Sequence, residues 1–427
     1  MSKPVEAIGG ENTSSAEVSR RDFMVKSGTG LSAAALAAHH AFAVDTAPKK
    51  VRIGVVGGGF GCSFQWHEHP DCEVVAVSDL REDRRKRLMD TYRCATAYNS
   101  LEELVKDNNI DAVGIFTDGP LHVQHVVESM KHGKHCISAV PAAYGSLDEA
   151  RLLKKTVKKY GLTYMMAETG YYQQTTIAAR QMYESGKFGN LYYCEAEYQH
   201  PGLEVLYKEN GKPTWRYGMA PMHYPTHSSS QLIGVTGERL VHVTCLGWGD
   251  DDPCLKDNVY KNPFWNGSAM FTTDRGHAFR MNVWWRGAHR GCERAQWIGD
   301  KMSLYMQHAN GWPAVIVRSG KQVEKDDAGF ERTMAEFEEF KVPEFWATDM
   351  LPEPLRHSSG HEGSHTFLTH EFIQSITQDR LPSVNVYEAL AYTVPGIVAH
   401  ESSLKGGEPM KVPDFDDAEY KQTLAKA

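Results

Sequence analysis

The sequence lacks the features that would mark a membrane, nucleic-acid or disulfide-stapled protein. Beyond the first forty-odd residues, no apolar run is long enough to span a bilayer. Neither sign of charge dominates: 46 basic side chains stand against 54 acidic ones, a net charge of −8. That leaves no electrostatic footprint for nucleic acid and none for an anionic membrane surface. The eight cysteines never fall in a Cys-x-x-Cys pair, and five lie in apolar, strand-like runs. They read as small buried residues, with a disulfide allowed but not pinned by spacing. What remains is the profile of a globular chain of 427 residues, 41% hydrophobic and 23% charged. That is long enough for two domains, and a small molecule is the expected partner.

Residues 1–43 are expected to stand outside the fold. Ser19-Arg20-Arg21-Asp22-Phe23-Met24-Val25-Lys26 pairs two arginines ahead of a weakly apolar stretch, residues 28–43, which ends in the small-x-small pattern Ala41-Phe42-Ala43. This resembles a twin-arginine export signal, which implies a periplasmic or secreted protein that crosses the membrane already folded, commonly with a cofactor inside. His39 and His40 interrupt the stretch, so stable membrane insertion is not expected.

Two regimes follow. Over residues 50–170, strands predicted at 51–56, 73–78, 112–116, 135–138 and 163–167 alternate with amphipathic helices. Ser100 and Ser146 each precede a capping box, and Gly133 and Gly161 sit where helices should end. Alternation at this pitch predicts right-handed βαβ units, hence an α/β fold with a doubly wound parallel sheet of the Rossmann type. Over residues 171–415, strands predicted at 191–200, 240–248, 267–273, 277–285, 294–298 and 302–306 have few helices between them. This predicts a second α/β domain with an open, mainly antiparallel sheet. The polar stretch 321–344 reads as an excursion from the core, and helices are predicted at 366–378 and 386–403.

The turn after the first strand, Gly57-Gly58-Gly59-Phe60-Gly61-Cys62, allows a backbone to approach a pyrophosphate, which would then rest on a helix N-terminus. The third glycine of the usual fingerprint would fall at position 62, where the chain has Cys62. Asp79 closes the second strand 22 residues after Gly57, where a carboxylate accepts both ribose hydroxyls of NAD and repels the 2′-phosphate of NADP.

Phe116-Thr117-Asp118-Gly119-Pro120-Leu121-His122 and the run from Pro382 to Pro413 resemble the Gfo/Idh/MocA oxidoreductases. That resemblance implies a Rossmann domain joined to an open-sheet domain with a sugar between them. Where those dehydrogenases carry Glu-Lys-Pro, this chain has Ala139-Val140-Pro141, and a valine cannot relay a proton. Val140-Pro141, Glu168, Glu197-Tyr198-Gln199-His200, Trp215-Arg216 and above all Tyr224-Pro225-Thr226-His227 instead look like the NAD-dependent glycosidases typified by α-N-acetylgalactosaminidase (glycoside hydrolase family 109). The glycosidases have Glu-Val before that proline and Glu-Asn where this chain has Glu168-Thr169.

Carried across, the resemblance implies an NAD site made of Gly57, Gly59, Phe60, Gly61, Asp79, Thr117, Asp118, His122, Val140, Pro141, Glu168, Thr169 and Tyr224-Pro225-Thr226-His227. It implies a substrate site of Tyr198, Arg216, Tyr224 and His361. His227, Tyr224 and Tyr172 are the catalytic candidates: an imidazole titrates near neutrality by default, and a tyrosine hydroxyl can donate or accept. For Tyr172, a core tyrosine at a helix start is an equal alternative. Arg216 suits an enolate-like oxygen. The histidines at 357, 361 and 365, and those at 223 and 227, are spaced for one helix face, but Gly360, Gly363 and Pro225 break both stretches and no metal is expected. A homo-oligomer formed through the C-terminal sheet is expected.

Three functions stay open: a redox-neutral glycosidase working by oxidation, elimination and addition; a net NAD-dependent sugar dehydrogenase; and a non-catalytic sugar- or dinucleotide-binding protein. The absence of an extracellular NAD pool favours a carried, recycled cofactor and so the first.

Overall fold

The computed structural model describes residues 50–288 and 291–424; the expected export signal lies outside the described residues. Short, largely apolar runs form β1 (Val51–Val56), β2 (Cys72–Ser78), β3 (Ala97–Tyr98), β4 (Ala112–Ile115), β5 (His135–Ser138) and β6 (Tyr164–Met166). They make a six-stranded parallel sheet in the order β3-β2-β1-β4-β5-β6, the doubly wound arrangement whose ligand crevice lies beyond the strands' carboxyl ends. Crossovers carry α1 (Glu82–Tyr92), α2 (Leu101–Leu104), α3 (His122–Lys131) and α4 (Leu147–Tyr160). Both predicted capping serines act as caps: Ser100 Oγ accepts from Glu103 N–H at 3.3 Å and Ser146 Oγ from Glu149 N–H at 3.2 Å. Gly161, at φ 63°, ends α4 in the left-handed conformation that glycine adopts without strain. The two-residue β3 escaped prediction because it is too short to show a period.

The second half of the chain contributes β7 (Leu191–Gln199), a small hairpin of β8 (Lys208–Glu209) and β9 (Lys212–Pro213), β10 (Leu240–Trp248), β11 (Asn266–Thr273), β12 (Ala278–Trp284), β13 (Cys292–Gly299), β14 (Met302–Tyr305), β15 (Val315–Lys325), β16 (Glu331–Glu339) and β17 (Met410–Lys411). Its helices are α5 (Gln174–Glu184), α6 (Thr226–Thr236), α7 (Pro253–Lys256), α8 (Gly360–Thr377), α9 (Val386–Leu404) and α10 (Ala418–Leu424). The nine-stranded sheet runs β16-β15-β14-β13-β7-β12-β11-β10-β17, antiparallel except for the parallel pair β7–β12. α6 and α9 cover one face. The other face carries a polar ladder in which Arg280 meets Glu195 at 2.6 Å and Arg294 meets Glu197 at 3.2 Å. The stretch read as a polar excursion is instead an edge hairpin. β16 is exposed along its whole length, but its backbone pairs with β15, so strand formation there needs no buried side chains. All eight cysteines are unpaired, and seven are buried. No helix among the described residues is long and apolar enough to cross a membrane.

The first crossover departs from expectation. No α-helix follows the glycine turn; a single 3₁₀ turn, Gly61–Ser63, and a loop lead to β2. The sheet face left bare is covered by α8. Phe64 stacks on His365 with ring centroids 4.8 Å apart, Trp66 meets Phe372 edge-on at 6.1 Å, and Gln65 N–H donates to Thr369 Oγ1 at 3.4 Å. Phe64 and Trp66 are fully buried, each worth about 1.5–3 kcal/mol of apolar burial. A distant helix thus does the work of the missing local one and brings residues 360–365 up to the glycine turn.

Candidate active site

Gly57 has φ +98°, and a Cβ there would lie 2.2 Å from Phe116 O, so the turn admits only glycine. At Gly59 a Cβ would meet nothing within 4 Å, which leaves an open backbone surface of the kind a pyrophosphate needs. Asp79 is held at the end of β2 by Gly58 N–H (2.7 Å) and Arg81 N–H (2.8 Å). Arg81, the neighbour that could have welcomed a 2′-phosphate, is already engaged by Asp83 at 2.6 Å and by Glu209. Leu80, 82% exposed beside Asp79, offers a flat apolar surface that the sequence did not flag. This cradle fits a dinucleotide with a free ribose diol.

Two of the expected cofactor loops are tied together by His122. Its buried ring bridges Pro141 O (2.9 Å from Nδ1) and Thr117 O (3.1 Å from Nε2), and burial lowers its pKa to about 4. His122 therefore positions the loops that carry Thr117, Asp118, Val140 and Pro141. Thr117 Oγ1 lies 2.8 Å from His125 Nδ1. Desolvation pushes Asp118 above the usual carboxylate range, although its side chain is exposed.

The catalytic candidates converge where the two domains meet. Pro225 opens α6, and its first turn delivers His227. Glu168 follows β6, fixed by Gly170 N–H at 2.7 Å, and holds His227 Nδ1 at 2.9 Å. Thr169 Oγ1 lies 3.3 Å from the same nitrogen, and Glu293 Oε1 of β13 lies 3.6 Å away. The rings of Tyr198 and Tyr224 stand 4.5 and 5.5 Å from the imidazole. Burial alone would strip the proton from His227, but Glu168 and Glu293 outweigh it and push the pKa up to about 10. Burial likewise raises Glu293 to about 7, against the pull of His227. One donor atom from each of Glu168, His227 and Glu293 lies within 4.8 Å of the others, so two carboxylates from different elements close on one imidazole. The two carboxylates thus favour the charged form of the His227 imidazole.

Arg216 stacks its guanidinium on Trp215 (4.3 Å) and lies 5.8 Å from the Tyr224 ring. His361, Glu362 and Gly363 take left-handed φ angles of 50°, 57° and 88° at the start of α8. A non-glycine residue held there costs about 1–3 kcal/mol, and such strain clusters at functional sites. The segment places His361 5.9 Å from the Phe60 ring, with Nδ1 2.8 Å from His365 Nε2. The two histidine series do not share helix faces: His361 is non-helical, His357 contacts Glu68 at 2.6 Å, and His223 packs on His400 at 4.5 Å.

Tyr172 is not gathered with the others. Its ring stacks on Phe367 at 5.4 Å, its hydroxyl donates to Ser383 Oγ at 3.3 Å, and burial pushes its pKa well above the usual range. The stacked ring and the bond to Ser383 fit the core-tyrosine alternative. Glu293 was missed by the sequence reading; within Cys292-Glu293-Arg294 it looks like any charge on an open strand.

Residues 51–168 match the model of the GFO_IDH_MocA oxidoreductase family, NAD-binding Rossmann fold. The N-terminal domain thus resembles the NAD-binding domain of that family. Residues 331–422 match the glycosyl hydrolase 109 C-terminal domain. A glycosyl hydrolase family 109 protein of Streptomyces coelicolor is 23% identical over 407 residues, covering 87% of this chain and 84% of its own. A relative of the same description in Phocaeicola vulgatus is 31% identical over 216 residues, 46% of this chain and 45% of its own. Among solved structures, an oxidoreductase domain protein from Kribbella flavida superposes with TM-score 0.68 at 15% identity, covering 86% of this chain and all (100%) of that one. Scyllo-inositol dehydrogenase from Lactobacillus casei, solved with NAD(H) and scyllo-inositol, gives TM-score 0.62 at 15% identity, covering 85% and 99%. These likenesses fit the two-domain architecture, and the chain is an NAD-dependent enzyme of the glycosidase or sugar-oxidoreductase type.

Proposed function

We propose that this chain is a redox-neutral, NAD-dependent glycosidase. The observation that carries the reading is His227, clamped by Glu168 beside Tyr198 and Tyr224, in a site whose Ala139-Val140-Pro141 segment supplies no lysine. Bound NAD supplies a two-electron acceptor able to return what it takes. The protein's own part is to hold and polarise the sugar. Tyr198 and Arg216 position it, and the His227 imidazolium donates to the oxygen at the carbon being oxidised. Arg216 holds the enolate-like oxygen once the neighbouring C–H has been made acidic. The aglycone then leaves by elimination and water adds. A net sugar dehydrogenase is the second reading, favoured by the likeness of fold to an inositol dehydrogenase.

Hydrolysis of glycosides in heavy water separates the readings. Deuterium should enter the sugar at the carbon beside the oxidised one, while the hydrogen on the oxidised carbon is kept. Hydrolysis without that deuterium means direct displacement at the anomeric centre and ends the proposal. NADH accumulating without released aglycone favours the dehydrogenase. Bound, inert NAD across a broad glycoside panel points to a binding protein.

Export by the twin-arginine route rests on Arg20 and Arg21. Changing both to lysine should hold the protein in the cytoplasm; unchanged export would remove this part of the reading.

A further inference from the structure

We propose that Glu293 is the proton acceptor when a sugar hydroxyl is oxidised in this site, and the donor when the ketone is reduced; this rests on the NAD-dependent sugar chemistry proposed above. Its position in the sheet is the first argument. Glu293 on β13 is the cross-strand partner of Tyr198 on β7, so the two side chains leave the same face of the sheet as neighbours. Both flank His227, at 3.6 Å (Oε1 to Nδ1) and 4.5 Å (ring to ring).

Its bonding is the second. Each carboxylate keeps one buried oxygen without a hydrogen-bond partner, Glu168 Oε2 and Glu293 Oε1, but Glu168 is anchored through Oε1 to His227 and to Gly170 N–H. The Glu168 side chain is fully enclosed at 0% exposure, but Glu293 keeps 16%. Of the two carboxylates, Glu293 is the one a substrate can reach.

The groups facing it come from four elements: His227 on α6, Glu168 after β6, Glu362 in the left-handed turn opening α8, and the Tyr198 hydroxyl on β7. Arg294, next on its own strand, is bonded to Glu197. Burial and the carboxylates of Glu168 and Glu362 oppose ionisation of Glu293, while the imidazolium favours it, and the balance leaves it at about 7. His227, at about 10, already carries its proton and can donate to the substrate oxygen but not accept from it. The step balances: as the alcohol becomes a ketone, its C–H leaves as hydride to the oxidised nicotinamide and its O–H proton goes to Glu293. Reduction runs the same transfers backwards.

The test uses the full chain with methyl and p-nitrophenyl glycosides. Glu293→Gln should lower kcat about a hundredfold, leave the affinity for NAD unchanged in a binding titration, and abolish the rise of rate through about pH 7. Glu293→Asp should restore part of the rate and that limb of the profile. Independently of turnover, carboxyl infrared titration should find one group titrating near neutrality in the parent protein and none in Glu293→Gln. A Gln variant with the parent rate and pH profile, or a neutral-range carboxyl signal that survives the substitution, overturns the assignment while sugar oxidation stands. Failure of the parent protein to turn over any glycoside brings down the functional reading, and this proposal with it.

Discussion

His227→Ala is expected to lower kcat by about a hundredfold or more, the usual contribution of a positioned acid–base group. The variant loses the proton donor at the substrate oxygen and the charge that keeps Glu168 and Glu293 compatible in one buried space. Stability should change as well, with a sign set by the raised pKa. His227 titrates at about 10 in the fold, against about 6.5 in an unfolded chain. Its stabilising contribution is therefore complete below about pH 6.5 and is lost as pH rises through about 10. Thermal melts of parent and variant should differ at pH 6 and converge above pH 10. A parent-like kcat, or a gap between the melts that does not depend on pH, would contradict the placement of this proton.

Asp79→Ala should weaken NAD binding at least tenfold and erase the preference over NADP. A hydrogen bond to a charged group is worth about 1.5–3 kcal/mol, and two ribose hydroxyls are available to this carboxylate. The structure adds a reason for sharp discrimination: Arg81 is occupied by Asp83 and Glu209, so no neighbouring cation offsets the repulsion of a 2′-phosphate. Because Asp79 also caps Gly58 and Arg81 N–H, Asp79→Asn is the control. It keeps the shape of the site and should admit NADP without unfolding the turn. Calorimetric titration with both cofactors measures this; equal affinities in the parent protein, or an Ala variant binding NAD unchanged, would refute the role.

Much of the cofactor cradle was legible because it is local. A glycine turn followed by a strand-end acid lies within one βαβ unit, and the backbone constraint at Gly57 is written in its residue type. Helix ends at Ser100, Ser146 and Gly161 were legible for the same reason. The catalytic cluster was legible only in part. His227 and Glu168 stood out through motifs, but their mutual distance, 59 residues along the chain, has no sequence signal. Nor has the approach of Glu293 from a third element.

By itself the sequence determined the class of fold, the order of its two domains and the chemistry of the dinucleotide turn. Hydrophobic period, caps and turn residues act over a few positions and need no distant partner. Tertiary structure alone decided which helix covers the first crossover, that Tyr172 packs while Tyr198 faces the site, and which protons the site holds at neutral pH. Those outcomes depend on burial and on charges brought together from remote segments. An imidazole between two buried carboxylates is a different acid from the same imidazole in water.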